Sequence, residues 1–524
     1  MAIRATPAKS RPKPTARAAA SVTVTTETTA PLGATTESPF NPADPTTSVP
    51  AYLVNSNLPA ELQALETKGD FKAAEQWLET QIATASPTTS STQSTSSAAP
   101  TTTHLSAELA RLRHLQRDYN ATAAEILAKL RKEIPTVTTA DLDLWRNAGA
   151  IQWIPVNREP RYFRREPGNL LRFDKRAQAM QKAAKKSKSK TAKGDPAAAS
   201  KKFDLNPHLA KAIAAARDTK TSLVLPITFH VRHVIAVKPG VVPPGETIRC
   251  WFPYPQAYRQ QQEPTLKTSS PASPKISASG TLMRTAYLEQ PANAADKPTT
   301  FTLEYEYKTS AFYPDITRPS KKPRDPAPAD FLAEQPPHIV FTPELRALAA
   351  DIVGTATQPL DKAQRIWSWI DLNIKWAAEM EYATLPNIVQ KVSTCMRGDC
   401  GTQSLFFVTL CRISGIPARW QSGWVTKPKD WNMHDWSEFY TPGFGWLPAD
   451  PSVGRRKSKT PAVRDYMFGH LDAYRMIANL DWGKPFDPPK TFDRSDPVDN
   501  QRGEVEWSGG NLYYDDWTYE VEVK

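Results

Sequence analysis

The sequence predicts an α+β protein in which a small helical module and an antiparallel β-sandwich precede a mixed helix-and-strand domain, with disordered linkers between them. Three observations lead there. Apolar residues recur at helical spacing in 51–174, switch to a period of two in 221–313, and return to helix followed by hairpin in 338–480. At 524 residues the chain has length for about three domains of ~150 residues each. Its 48 prolines and 21 glycines are spread unevenly, so much of the remainder reads as linker.

Residues 1–50 are rich in Ala, Thr, Ser and Pro with few bulky apolar side chains. Such a segment cannot offset chain entropy by burial and is expected to be disordered. The helical module spans 51–174. Its first pair, Pro59 to Leu65 and Phe71 to Leu78, is separated by Gly69-Asp70 and reads as a helical hairpin, hinting at a single tetratricopeptide-like unit with no further repeats. Further helices are expected at Leu105 to Asp118, Ala121 to Glu133 and Thr139 to Ala148, with Trp145, Tyr162 and Phe163 closing a small packed end. A Ser/Thr-rich insert at 86–103 and a lysine-rich run at 175–202 read as low-complexity linkers.

Period two dominates from Thr221 to Tyr313. Leu223 to Val237, Glu246 to Phe252 and Thr300 to Tyr307 read as antiparallel strands of a sandwich. His230 and His233 fall on opposite strand faces, so together they make poor metal ligands and read as solvated. The third domain, 338–480, opens with helices at Pro343 to Val353 and Asp361 to Ile374, packed by Trp367, Trp369 and Ile370. A C-terminal extension, 481–524, carries a final strand near Thr518 to Val523 that would add an edge to the core or to the sandwich.

The most specific chemistry lies between Gly398 and Ser452. Cys400 begins a run with apolar side chains near helical spacing at Leu405, Val408 and Ile413, ending at Ser414-Gly415. That places the thiol in the first turn of a buried helix, where orphan N–H groups and the helix dipole favour a thiolate and could hold an oxyanion. His434 follows in His434-Asp435-Trp436-Ser437-Glu438, where His434, Trp436 and Glu438 share a strand face. The turn Thr441 to Gly445 reverses the chain, and the return strand ends at Asp450. Such a hairpin brings Asp450 within reach of His434, the contact that orients an imidazole. A thiol, an imidazole and a carboxylate are what acyl transfer at an amide carbonyl requires.

Gly398-Asp399-Cys400, Gly415-Ile416-Pro417-Ala418-Arg419, His434-x-Trp436-x-Glu438, and Gly445-Trp446 with Asp450-Pro451 together resemble the transglutaminase-like superfamily. The resemblance implies a papain-related core, with Cys400 as nucleophile, His434 as general base and acid, and Asp450 as orienter. It implies a thioester acyl-enzyme on a protein or peptide amide, with no cofactor. Trp376 could direct an indole N–H towards the oxyanion, as in some relatives, and Trp436 could line a cleft. A core role is the plainer expectation for both. Ser452 stands where the family often has threonine, and Cys395 is a cysteine the family does not require. Bacterial relatives of this architecture are commonly exported, so an extracytoplasmic location is implied.

The formal net charge of +12 is concentrated in the 175–202 run, which holds about ten basic residues and reads as a solubilising linker. No aromatic interleaving supports specific nucleic-acid binding. No run approaches the ~18 apolar residues of a membrane span, and no apolar leader follows the basic N-terminus. Cys395, Cys400 and His434 lack the paired spacing of a zinc site, and four cysteines suit either redox compartment. Cys395 reads as buried or as a disulfide partner that would silence Cys400; Cys411 and Cys250 read as buried. His470 reads as a packing or surface residue. Two functions stay open, a cysteine amidohydrolase or acyltransferase and a catalytically idle binding or scaffold protein of the cell envelope.

Overall fold

A computed structural model describes residues 48–84, 102–191, 203–320 and 327–524. The expected disorder of 1–47 and of most of the 86–103 insert lies outside those residues. Val49 departs from the expectation for 1–50, because it is buried and its N–H donates to Thr67 O.

The helical module comprises α1 (Ala60–Lys68), α2 (Phe71–Thr84), α3 (Thr102–Asp118), α4 (Ala123–Glu133) and α5 (Thr139–Asn147). Thr122 and Thr138 start α4 and α5 with capping boxes closed by Glu125 and Asp141. A short hairpin, β1 (Trp153–Val156) and β2 (Glu159–Tyr162), and helix α6 (Gly168–Phe173) complete it. Helix α7 (Lys175–Thr191) corrects the linker expected over 175–202, of which 192–202 lie outside the described residues. Ala, Gln, Met and Lys are strong helix formers, Asp174 Oδ1 caps Ala177 N, and Ala177 is buried. A low-complexity composition therefore does not prevent a helix once its first turn is anchored. Helix α8 (Asn206–Thr219) leads into the sandwich.

Two sheets form the sandwich. Strands β3 (Leu223–Val237), β4 (Thr247–Pro253), β5 (Thr265–Ser270), β6 (Lys275–Ile276), β7 (Thr285–Pro291) and β8 (Thr299–Phe312) are joined by three strands from the end of the chain. Phe252, Leu288, Phe301, Leu303 and Tyr305 fill the space between them, each worth roughly 1.5–3 kcal/mol of burial. His233 corrects the expectation of solvated histidines. It is fully buried against Phe252 and Trp424, and burial lowers its pKa to about 3. His230, on the other face, pairs with Glu306.

The third domain runs through α9 (Pro343–Val353), α10 (Pro359–Asn373), β9 (Lys375–Trp376), α11 (Ile388–Cys395), β10 (Arg397–Gly398) and α12 (Cys400–Ile413). It continues through β11 (Ala418–Lys427), β12 (Asp430–Thr441), β13 (Gly445–Ala449), α13 (Pro461–Arg464) and β14 (Arg475–Asn479). The sheet order is β13-β12-β11-β14, and α12 lies buried across it. Ser437 Oγ donates to Ser404 O and Phe439 meets Phe407, so the odd-numbered residues of β12 face α12. Gly423, opposite His434, lies where a Cβ would come 2.0 Å from Met476 O of β14.

The C-terminal extension settles into the sandwich. Strands β15 (Glu504–Trp507) and β16 (Gly510–Leu512) extend one sheet beside β4, and β17 (Trp517–Val523) pairs with β3 in the other. Trp424, Met476 and Ala478 of the third domain share the sandwich core, so the two bodies have one continuous interior. The helical module is tied in as well. Buried Arg111 binds Glu66 and Glu108 and donates to Leu53 O, while Asn169 makes a two-way amide pair with the backbone of Ala378.

Candidate active site

Asp399 starts α12. Its carboxylate accepts from Thr402 N at 3.1 Å, an N-cap that sets Cys400 in the first turn. Tyr382 OH donates to the same Oδ1 at 2.8 Å and lies over Gly401, where a Cβ would come 2.0 Å from the phenol oxygen. Asp118 of the helical module accepts from Glu381 N, so α3 holds the wall that carries Tyr382. These contacts leave Cys400 partly open to a cavity of about 190 Å³. Trp376, Tyr382, Asp435, Asp499 and Gln501 line it with Cys400.

The thiol donates to Asp435 Oδ2 at 3.2 Å. Burial raises the Cys400 pKa well above an ordinary thiol, and the Asp435 and Asp399 carboxyls raise it further. The expectation of a thiolate favoured by the helix start is thereby corrected. Enclosure and neighbouring carboxylates outweigh a helix-terminus effect that is typically worth about 0.3–1 kcal/mol at an exposed site.

His434 and Asp450 meet as the hairpin predicts, with His434 Nε2 at 2.7 Å from Asp450 Oδ2. Arg475 binds the same oxygen at 2.9 Å, while Ser452 Oγ and Val453 N donate to Oδ1 at 3.0 Å. Ser452 thus supplies a hydroxyl at the position where threonine is common. Burial works against ionising Asp450, but His434 and Arg475 outweigh it and hold its carboxyl far below the usual range.

This pair and the thiol lie on opposite sides of β12. The β11–β12 register is unbroken from Ala418↔Phe439 to Lys427↔Asp430, so consecutive side chains alternate and His434 faces away from Asp435. His434 lines a separate cavity of about 200 Å³ with Asp472 and Arg475. Cys400 and His434 are therefore not brought together in this arrangement.

The two tryptophans divide. Trp376 pairs with Gly398 across β9 and β10, lines the Cys400 cavity and lies under the Arg172 guanidinium at 4.1 Å. Trp436 is fully buried, with its indole N–H on Gln421 Oε1. Cys395 is buried beside Tyr52 and forms no disulfide, and the other described cysteines are also free thiols. His470 packs on Tyr313 with Nε2 near Pro314 O.

Sequence reasoning missed Asp435, Asp499 and Gln501. The face alternation of Asp435, Ser437 and Phe439 could have marked the first. No local signal marks the others, which arrive from the C-terminal extension; Gln501 Nε2 donates to Asp435 Oδ1 at 2.8 Å from 66 residues away.

Residues 346–451 match the transglutaminase core of the transglutaminase-like superfamily. An uncharacterized protein of Haemophilus influenzae is 28% identical over 26% of this chain and 46% of that protein. The uncharacterized protein YebA of Bacillus subtilis is 26% identical over 21% of this chain and 17% of its own length. The chain thus spans less than half the length of the curated relatives it matches. A candidate cysteine protease of Cytophaga hutchinsonii has a TM-score of 0.38 at 16% identity, covering 57% of this chain and 91% of that one. The periplasmic domain of TgpA from Pseudomonas aeruginosa has a TM-score of 0.23 at 15% identity, covering 47% and 91%. At these TM-scores the likenesses carry no argument about chemistry.

Proposed function

Because residues 346–451 belong to the transglutaminase-like superfamily, we propose that the protein is a cysteine enzyme acting on a protein or peptide amide. Cys400 attacks the amide carbonyl carbon, a C–S bond replaces the C–N bond, and the departing amine takes a proton. Water or a second amine then resolves the thioester. His434, oriented by Asp450, is the proposed general base and acid, and the Trp376 indole a donor to the oxyanion.

The observation that carries this reading is the capped start of α12, which presents a partly open thiol to a cavity, with a preformed His434–Asp450 pair across β12. The reading requires His434 to turn to the thiol's side when substrate binds. Asn432 and Met433 line both cavities, and residues 430–434 keep some exposure, 13% for the His434 side chain, unlike the buried 435–441. The idle-binder alternative is favoured by one observation, the placement of His434 across β12 from Cys400. An extracytoplasmic location belongs to the proposal; no described helix is long and apolar enough to cross a membrane.

The test is incubation of the protein with a glutamine-containing peptide library, with and without a primary amine, read by mass spectrometry. Cleavage, deamidation and amine incorporation each give a distinct mass change. Products that persist unchanged in Cys400→Ala would sink the reading.

A further inference from the structure

The cavity beside Cys400 holds more carboxyls than its own cations answer. Glu379 is paired with Lys391, and Glu381 takes up both guanidiniums of the lining, Arg502 at 3.6 Å and Arg165 at 3.7 Å. Asp399, Asp435, Asp496 and Asp499 are left on the same walls. Among the described residues, the hydrogen bonds that these four accept come from backbone N–H, hydroxyl, amide and thiol groups, none of them charged. Arg494, which flanks Asp499, donates instead to the Asp499 and Lys484 backbone oxygens.

Two buried groups mark where a ligand would sit. Asp435 and Asp499 are each 2% exposed, and Asp499 Oδ2 has no donor among the described residues. On the same wall Asn500, also 2% exposed, turns its Oδ1 to Gly503 N and leaves Nδ2 without an acceptor. Buried carboxylates are costly unless they are paired or hold a metal. Among the described residues no set of three or more His, Cys, Asp and Glu is placed to hold a metal ion. Burial raises all four carboxyls, as expected of acids that lack a counter-charge.

We infer that this cavity selects amide substrates carrying an ammonium group beside the bond under attack, bound by Asp435 and Asp499 within the negative field of Asp496 and Asp399. The inference rests on the reading of Cys400 as the nucleophile of an amide-cleaving or amide-exchanging enzyme. At ~30 Å³ per water, about 190 Å³ is the space of roughly six waters, enough for one side chain or chain end and not for a run of chain. The orphaned acceptor beside an orphaned donor suits an ammonium with a carbonyl next to it, as at the first residue of a peptide. A bound ammonium would also offset the Asp435 charge that keeps the thiol protonated, which eases transfer of that proton to His434. The C-terminal extension, which brings Asp496, Asp499 and Asn500, thereby sets specificity.

The experiment is labelling of Cys400 on the full chain by three methanethiosulfonates, aminoethyl (cationic), sulfonatoethyl (anionic) and methyl (neutral), read by peptide mass mapping. In each case the Cys400 sulfur bonds the reagent's thiol-side sulfur, methanesulfinate departs and the thiol proton goes to solvent. The cationic-to-anionic rate ratio, divided by the same ratio on N-acetylcysteine, should exceed about 100-fold at low salt and fall about tenfold in Asp499→Asn. Because thiol reactivity cancels in this ratio, a change in thiol ionisation alone would not move it. A corrected wild-type ratio within about threefold of one, or one unmoved by Asp499→Asn, overturns the inference. If Asp499→Asn fails to fold by its thermal melt, Asp496→Asn decides on the same criterion. The source of the ammonium is read from protection against the neutral reagent. Slowing by glycinamide supports a chain's first α-amine, and slowing by N-acetyl-lysinamide supports a side-chain ammonium. No slowing by either, or equal slowing by N-acetyl-norleucinamide, overturns the inference. Labelling reads the cavity whether or not amides are turned over, so amide products from Cys400→Ala would refute the nucleophile reading independently.

Discussion

Glu438 ties β12 to the loop after β4, and its replacement tests how the strand carrying both His434 and Asp435 is held. The carboxylate is fully buried. It accepts from Arg419 Nη2 and Arg259 Nη1, each at 2.8 Å, and from Tyr258 OH at 3.0 Å. Glu438→Gln keeps the shape but leaves two guanidiniums without their buried counter-charge, a loss of about 3–5 kcal/mol. Unfolding entropy of about 2.1 cal/mol/K per residue over roughly 440 described residues, taken as one unit, converts each kcal/mol to about 1 °C. The thermal midpoint at pH 7 should therefore drop by about 3–5 °C if the unit melts in one step. Burial opposes ionisation of Glu438, but Arg259 and Arg419 outweigh it and lower its pKa. The contribution is thus complete above the unfolded value of about 4.3 and is lost as pH falls through the lower folded value. Differential scanning calorimetry should show the gap between wild type and variant closing in acid. A midpoint within 1 °C of wild type at pH 7, or a gap independent of pH, would refute the buried-charge account. A double Arg419→Met, Glu438→Leu variant should recover part of the loss.

Further outcomes follow from the same geometry. Asp450→Asn removes the carboxylate that orients His434 and compensates Arg475, and amide turnover should fall about 10⁴-fold, as for a triad aspartate; a change under tenfold in the peptide assay counts against the proposed pair. Brief iodoacetamide treatment of native protein should label Cys400 before Cys250, Cys395 and Cys411, since Cys400 is half-buried and the other three are buried; peptide mapping checks the order. Glu166 is buried, and burial raises its pKa to about 7. An acid whose folded value exceeds its unfolded one destabilises as pH rises through the folded value, so Glu166→Gln should compare better with wild type at pH 8 than at pH 5 in melts at both. Lys391→Met leaves Glu379 as a lone buried charge and should cost about 3–5 kcal/mol, measured by urea unfolding.

Local signals carried far in this chain. Asp399 ahead of Cys400 and Gly415 after Ile413 bound α12 within the sequence itself, because caps act on neighbouring N–H and C=O groups. The turn at Thr441 to Gly445 sets the β12–β13 hairpin, and that alone predicts the His434–Asp450 contact. The lysine-rich run misled, because composition registers solubility while Asp174 and the buried Ala177 anchor a helix. His233 misled because alternation divides a strand into two faces without saying which one is covered.

An α+β chain with a thiol at a helix start, an imidazole paired to a carboxylate, and a transglutaminase-like core around them were all legible in the order of residues. Those features depend on residues within a few turns of one another. That the Asp435 face of β12 meets α12, and that His434 opens on the other side, came from the packing of the folded chain. It alone returned the last strands to the sandwich and carried Asp499 and Gln501 to the thiol's neighbour. Contacts over such separations are selected by the packing of whole sheets and helices, and no local periodicity encodes them.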